Sequence, residues 1–129
     1  MSDERLTIGE MCRAFGVTPR TLRYYEYIEL ISPEREGQKR LYTARDRGRL
    51  TLILRGRRFG FSLEEIRRWL TLYEAGDNQR EQIEVWVAAA ERRLGEMREE
   101  IRELEDRLEE LERLRDEGRA WLRGQAGPS

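Results

Sequence analysis

Apolar residues change their spacing partway along this chain. Beyond residue 79, Ile83, Val87, Ala90, Leu94, Met97, Ile101, Leu104, Leu108 and Leu111 step by alternating four and three residues, and most positions between them are Glu or Arg. Such steps put one apolar seam on a helix with a heptad repeat. Val87, Leu94, Ile101 and Leu108 take the a positions and the others d, which predicts a coiled-coil helix over residues 79–118. A lone helix would leave this stripe in water, whereas burying each Leu or Ile contributes roughly 1.5–3 kcal/mol. The chain has no second helix of this kind, so the expected partner is another copy of itself. A rod of this length spans roughly 60 Å. Charge pairing at its flanks does not choose between parallel and antiparallel strands. The heptads break at Arg115 and Gly118, which leaves residues 119–129 as a C-terminal tail, and QAGPS at its end reads as disordered.

Before residue 75 the apolar groups are short and each follows a helix-start signal. Thr7 and Glu10 form a capping-box pattern, with Leu6 and Met11 placed as a hydrophobic staple. That helix should stop at Gly16, after which Thr18 caps a second helix and Pro19 takes its first position. Helix, short turn with Gly, helix is the helix-turn-helix pattern. Leu30-Ile31 and Arg40 to Tyr42 flank the polar loop SPEREGQK and predict a short hairpin, or wing. Thr43 caps a third helix from Ala44 to about Gly56, with Asp46 in its first turn. Ser62 and Glu65 repeat the capping box for a fourth helix, staple Phe61 and Ile66, reaching about Tyr73. AGDN, Ala75 to Asn78, then breaks the pattern. The expected architecture is mainly α: a winged helix-turn-helix domain over residues 1–74, a hinge at 75–78, and a long dimerisation helix.

Charge separates the same two parts. Residues 1 to 70 hold 15 Arg and Lys against 10 Asp and Glu, and residues 71 to 129 hold 10 against 16, so the near-neutral net charge of −1 averages unlike halves. From Arg35 to Arg58 there are nine bases and two acids, the footprint of a polyanion partner. The chain has no His and one Cys, Cys12, which excludes an iron–sulfur cluster, a soft metal site and a Cys–His or Ser–His pair within one chain. No cofactor or metal is expected, and no nucleophile and base are grouped as an enzyme would need. MSDERLTIGE lacks the apolar run of a signal peptide, and no stretch approaches a membrane span, so the expected compartment is the cytoplasm.

The second helix would enter the major groove of double-stranded DNA. Thr18, Arg20, Thr21 and Arg23 are candidates for bases or nearby phosphates, and Tyr24 or Tyr25 for a hydroxyl bond to phosphate. Leu22 and one tyrosine, Tyr25 by its spacing, are placed to pack on the first helix. Glu26 suits a neighbouring arginine rather than a phosphate. Arg40 and Tyr42 on the wing, and Arg57 and Arg58 before Phe59-Gly60-Phe61, would extend the footprint.

TIGEMCRAFGVTPRTLRYYE, RLYTARD and FGFSLEEI, in that order and followed by an acidic coiled coil, resemble the MerR family of bacterial transcriptional regulators across residues 6 to 73. The resemblance implies an antiparallel coiled-coil homodimer on a palindromic site between two promoter elements. It also implies a bent and untwisted spacer used by RNA polymerase, with some members repressing. Thr18 to Tyr25 then correspond to the recognition helix, Ser32 to Tyr42 to one wing, and Arg57 to Phe61 to the second. Glu29 stands where the family usually has Gly, a poor choice for a positive φ. Cysteines beside the dimer helix, as metal-sensing relatives have, are absent here, as is the extra domain of drug-sensing ones. ISPEREGQKRLYTARDRGRLTLILRGRRFGFSLEEI is similar to short regulators of leucine and isovalerate breakdown, which suggests a branched-chain acid or acyl-CoA as effector. The place for an effector is near the hinge, where Trp69, Tyr73 and Trp86 could form an apolar pocket or simply anchor the junction. Two other readings are an architectural protein that bends DNA without sequence preference, and a coiled-coil adaptor whose basic half binds protein.

Overall fold

The computed structural model of the chain describes residues 4–76 and 78–126. Along them run α1 (Ile8–Phe15), α2 (Pro19–Tyr27), β1 (Glu34–Glu36), β2 (Lys39–Leu41), α3 (Ala44–Arg58), α4 (Leu63–Ala75) and α5 (Gln79–Ala126). The chain divides into two units, one ending at Trp86 and one beginning at Val87. The first two turns of α5 therefore belong to the N-terminal unit, although the helices break at Gly76, where φ is 70°. Asp77, within the expected hinge, lies outside the described residues.

Side-chain caps set where the helices start. The Thr7 amide donates to the Glu10 carboxylate at 2.8 Å while the Glu10 amide donates back to Thr7 Oγ1. Ser62 and Glu65 repeat this at α4, and Thr43 and Asp46 at α3. Two amides that open each helix are satisfied in this way. Asp46 does more than face the helix dipole: it is fully buried, and it also accepts from the Ser32 amide at 3.0 Å. One carboxylate thus ties the loop after α2 to the start of α3.

The hairpin differs from expectation. Its strands pair Glu34 with Leu41, Arg35 with Arg40 and Glu36 with Lys39, turning at Gly37 with φ 63°. Leu30 and Ile31, expected as a strand, are buried in the core instead, and their amides donate to the Tyr25 carbonyl at 2.9 and 3.4 Å. An apolar pair after a helix can serve its C-terminal cap as well as a strand, and here the cap wins.

Two helix ends share one hydrogen-bond pattern. After α2, Leu30 N donates to Tyr25 O and Glu29 N to Glu26 O; after α3, Phe61 N donates to Gly56 O and Gly60 N to Arg57 O. Both are Schellman caps, which need a left-handed residue. Gly60 meets this at φ 88°, whereas Glu29 adopts φ 65° against its preference. Arg67 of α4 donates to the carbonyls of Ile28 and Glu29, holding that turn in place.

The core joins Met11, Leu22, Leu30 and Tyr42 to Leu50, Ile53, Phe61, Ile66 and Leu70. Gly56 lets α3 and α4 approach closely, since a Cβ there would lie 2.8 Å from Ile66 Cδ1.

In the second unit, α5 carries its seam in the open. Leu94, Ile101, Leu104, Leu108 and Leu111 are between 45% and 66% exposed in the single chain. Arg92–Glu96 and Arg113–Glu117 pairs, each 3.2 Å, support the helix along its sides. The helix continues through Arg115 and Gly118 to Ala126, eight residues beyond the expected end at 118. A single Gly costs only ~1 kcal/mol in a helix, too little to end one of this length. Gly127 to Ser129 lie outside the described residues.

Candidate nucleic-acid interface

Because α2 buries Leu22 and Tyr25 against the core, its opposite face must carry Arg20, Arg23 and Tyr24. Arg20 and Arg23 are exposed and have no hydrogen bond or ion pair among the described residues. Thr18 accepts from the Thr21 amide at 3.1 Å, and the two hydroxyls lie 3.0 Å apart, so both threonines sit at the start of this face. Tyr24 is 50% exposed, its ring 5.9 Å from that of Tyr25. Tyr27, 83% exposed at the last position of α2, extends the same face and was not anticipated. Its spacing of seven from Arg20 and three from Tyr24 was the available signal.

On the hairpin, Arg40 Nε donates to Glu26 at 2.6 Å and Arg35 Nη2 to the same carboxylate at 3.0 Å. The expected pairing of Glu26 with a neighbouring arginine is therefore present. Burial pushes the Glu26 carboxyl up, but the hydrogen bonds and charges of Arg40 and Arg35 outweigh it and hold the group below the usual carboxylate range. Arg40 is thereby committed within the fold, and Arg57 donates to the Phe61 carbonyl at 3.0 Å. Arg58 is exposed and uncommitted among the described residues.

Tyr42 is corrected, and of the two adjacent tyrosines on α2 it is Tyr25 that packs, as its spacing indicated, and leaves the candidate DNA contacts. Tyr42 is fully buried, so its side chain belongs to the core rather than to a DNA-facing wing. Its backbone instead pairs with Leu6, the amides donating at 2.7 and 2.9 Å, and burial pushes its hydroxyl pKa up to about 12. Tyr25 is likewise buried, and burial raises its hydroxyl pKa.

Farther along, Arg45 and Arg49 converge on Glu74 at 2.8 and 2.7 Å, joining the start of α3 to the end of α4. The Arg45 hydrogen bond in the first place, and Arg49 with it, hold the Glu74 carboxyl below its ordinary value against the opposing effect of burial. Trp69 and Trp86 meet edge to face, centroids 5.4 Å apart, with Phe61 4.7 Å from Trp69. Tyr73 lines the cavity beside the two tryptophans.

A helix-turn-helix with a cationic outer face and a following hairpin defines a winged DNA-binding module. The chain belongs to the MerR family of transcriptional regulators: residues 6–72 match the MerR HTH family regulatory protein and residues 47–117 the MerR DNA-binding family. It is 40% identical over 110 residues to the HTH-type transcriptional regulator HmrR of Rhizobium leguminosarum bv. viciae, covering 84% of this chain and 83% of that protein. Its fold is similar to that of PbrR691 from Ralstonia metallidurans CH34, determined in complex with lead(II), with TM-score 0.65, 29% identity, and 84% and 86% of the two chains covered. HiNmlR, a MerR family regulator lacking the sensor domain and bound to promoter DNA, gives TM-score 0.60 at 25% identity over 81% and 79%. Among the described residues no group of three or more His, Cys, Asp or Glu could hold a metal ion. No described helix is long and apolar enough to cross a membrane.

Proposed function

We propose that this regulator binds a palindromic promoter operator as a homodimer, with α2 of each copy in the major groove. The carrying observation is the outer face of α2, where Arg20 and Arg23 stand exposed without a partner among the described residues, beside Thr18, Thr21 and Tyr24. Free guanidiniums suit base edges and phosphates, whereas an arginine already bound to a carboxylate releases less on meeting DNA. Arg58 after α3 supplies a flanking phosphate contact; Arg40 and Arg57 act by shaping the wings.

The division of labour follows the sequence reading, with residues 1–74 binding DNA, 75–78 as hinge and residues 79–118 dimerising through Ile83, Val87, Ala90, Leu94, Met97, Ile101, Leu104, Leu108 and Leu111. By family resemblance the coil is antiparallel, and the dimer bends and untwists a spacer for RNA polymerase in the cytoplasm. The MerR resemblance and the promoter-bound HiNmlR structure favour this over an architectural or adaptor role. A small-molecule effector acting near Trp69, Tyr73 and Trp86 would work only by preferring one arrangement of the dimer over another.

Substituting Arg23 tests the reading. Arg23→Ala should weaken operator binding and lower the slope of log affinity against log salt by about one if the contact is to phosphate. A folded variant with unchanged affinity and slope would remove α2 from the interface.

A further inference from the structure

A cavity of ≈ 270 Å³ opens beside the tryptophan pair, lined by residues of α3, α4 and the first turns of α5. Leu52, Leu72 and Ile83 supply apolar walls, and Trp69 and Trp86 the aromatic ones. The absent side chain of Gly56 lets α4 close the floor, since a Cβ there would lie 3.4 Å from Trp69 Cζ3. Gln82 is fixed by donating its Nε2 hydrogen to the Leu72 carbonyl at 3.0 Å, which ties α5 to α4 at the cavity. The volume holds about nine waters' worth of space and falls just under the usual range for small-molecule sites.

Charge narrows the occupant. Arg45 and Arg49, lower on α3, are both spent on Glu74. Arg55, which lines this cavity, has no acidic or carbonyl partner among the described residues. An unspent guanidinium at the rim of an aromatic and aliphatic cavity matches a carboxylate or sulfonate at one end and a compact apolar body at the other. We propose that this cavity binds a small organic anion with a planar or branched apolar body, the anionic group on Arg55 and the body packed against the Trp69–Trp86 pair and Leu72. This rests on the regulator reading, because Ile83 is at once a cavity wall and the first position of the dimer seam. An occupant touching it contacts the element through which the two copies are joined.

The test uses the full-length protein, 2-naphthoate as the anion and 2-naphthamide as its uncharged counterpart. The indole N–H signals of Trp69 and Trp86 are followed by nuclear magnetic resonance. Both signals should shift saturably with 2-naphthoate, and the amide should bind at least about tenfold more weakly. Arg55→Gln should weaken the naphthoate by a similar factor and leave the amide unchanged; as an exposed residue it is replaced without disturbing the core. Trp86→Phe, which keeps an aromatic wall, should preserve selectivity for the anion while altering the Trp69 shift. Signals that stay put at millimolar naphthoate, or an Arg55→Gln variant that binds as tightly as the parent, would overturn the proposal. Operator affinity measured on the same samples without ligand separates the two readings. Loss of anion binding with intact operator binding sinks only the cavity, and the reverse sinks only the DNA assignment.

Discussion

Glu26 on α2 holds Arg40 on the hairpin at 2.6 Å, so the helix with the cationic outer face and the hairpin beside it share one carboxylate. Arg35 adds a second hold on it at 3.0 Å. Both side chains are only partly exposed, and the contact holds the hairpin against α2. Glu26→Gln should lower stability by roughly 1 kcal/mol, the upper end for a pair of this exposure. It should also weaken operator binding even though Glu26 itself would repel phosphate. Stability by urea unfolding and affinity by fluorescence anisotropy check this; a gain in affinity would mean that removing the repulsion matters more than holding the wing.

Much of this fold could be read from the chain because its signals are local. Thr7 with Glu10, and Ser62 with Glu65, announce their helices through hydrogen bonds between residues three apart, and both caps form. What escaped depends on contacts distant in sequence. Tyr42 looked like a wing residue, but its burial follows from pairing with Leu6, thirty-six positions earlier. Leu30 and Ile31 carried a strand-like pattern, yet the cap of α2 claims their amides. The helix runs past the break in the heptads to Ala126 because Gly118 is a weak breaker inside a long helix. On α2, the choice between Tyr24 outside and Tyr25 inside follows from the 100° step between adjacent residues.

Acid should loosen the fold at two identifiable places. Glu26 and Glu74 both have folded-state pKa values below the ordinary 4.5. Their contribution is therefore complete above that value and is lost as pH falls through the lower folded values. Urea midpoints should be level between about pH 6.5 and 5.5 and fall below about pH 4.5. In a Glu26→Gln, Glu74→Gln double variant the acid-side fall should be shallower. An equal fall in both proteins would assign the acid sensitivity to other carboxyls.

Glu29 pays a conformational cost that Gly60 avoids in the same cap. Relieving a left-handed non-glycine residue gains roughly 1–2 kcal/mol, offset by about 0.4–1 kcal/mol of extra freedom in the unfolded chain. Glu29→Gly should therefore stabilise the protein by about 1 kcal/mol, raising its thermal midpoint. A lower midpoint would show that the Glu29 side chain makes a compensating contact.

The open stripe on α5 calls for a second copy. Replacing Ile101 and Leu104, one a and one d position, by Asp would put charges into the middle of that seam. Sedimentation should then give a monomer, with operator affinity lost because two weak half-site contacts are no longer linked. A variant that still sediments as a dimer would place the interface elsewhere.

Sequence-specific binding by α2 is measured most directly as a ratio. A palindromic site selected by the full-length protein from a random DNA pool, and a scrambled duplex of equal composition, are titrated side by side at physiological salt. The account predicts that the selected site binds roughly 10³–10⁷-fold more tightly than the scrambled one. A pool that yields no shared sequence, or a preference below about tenfold, would contradict it and leave an architectural or adaptor protein in its place.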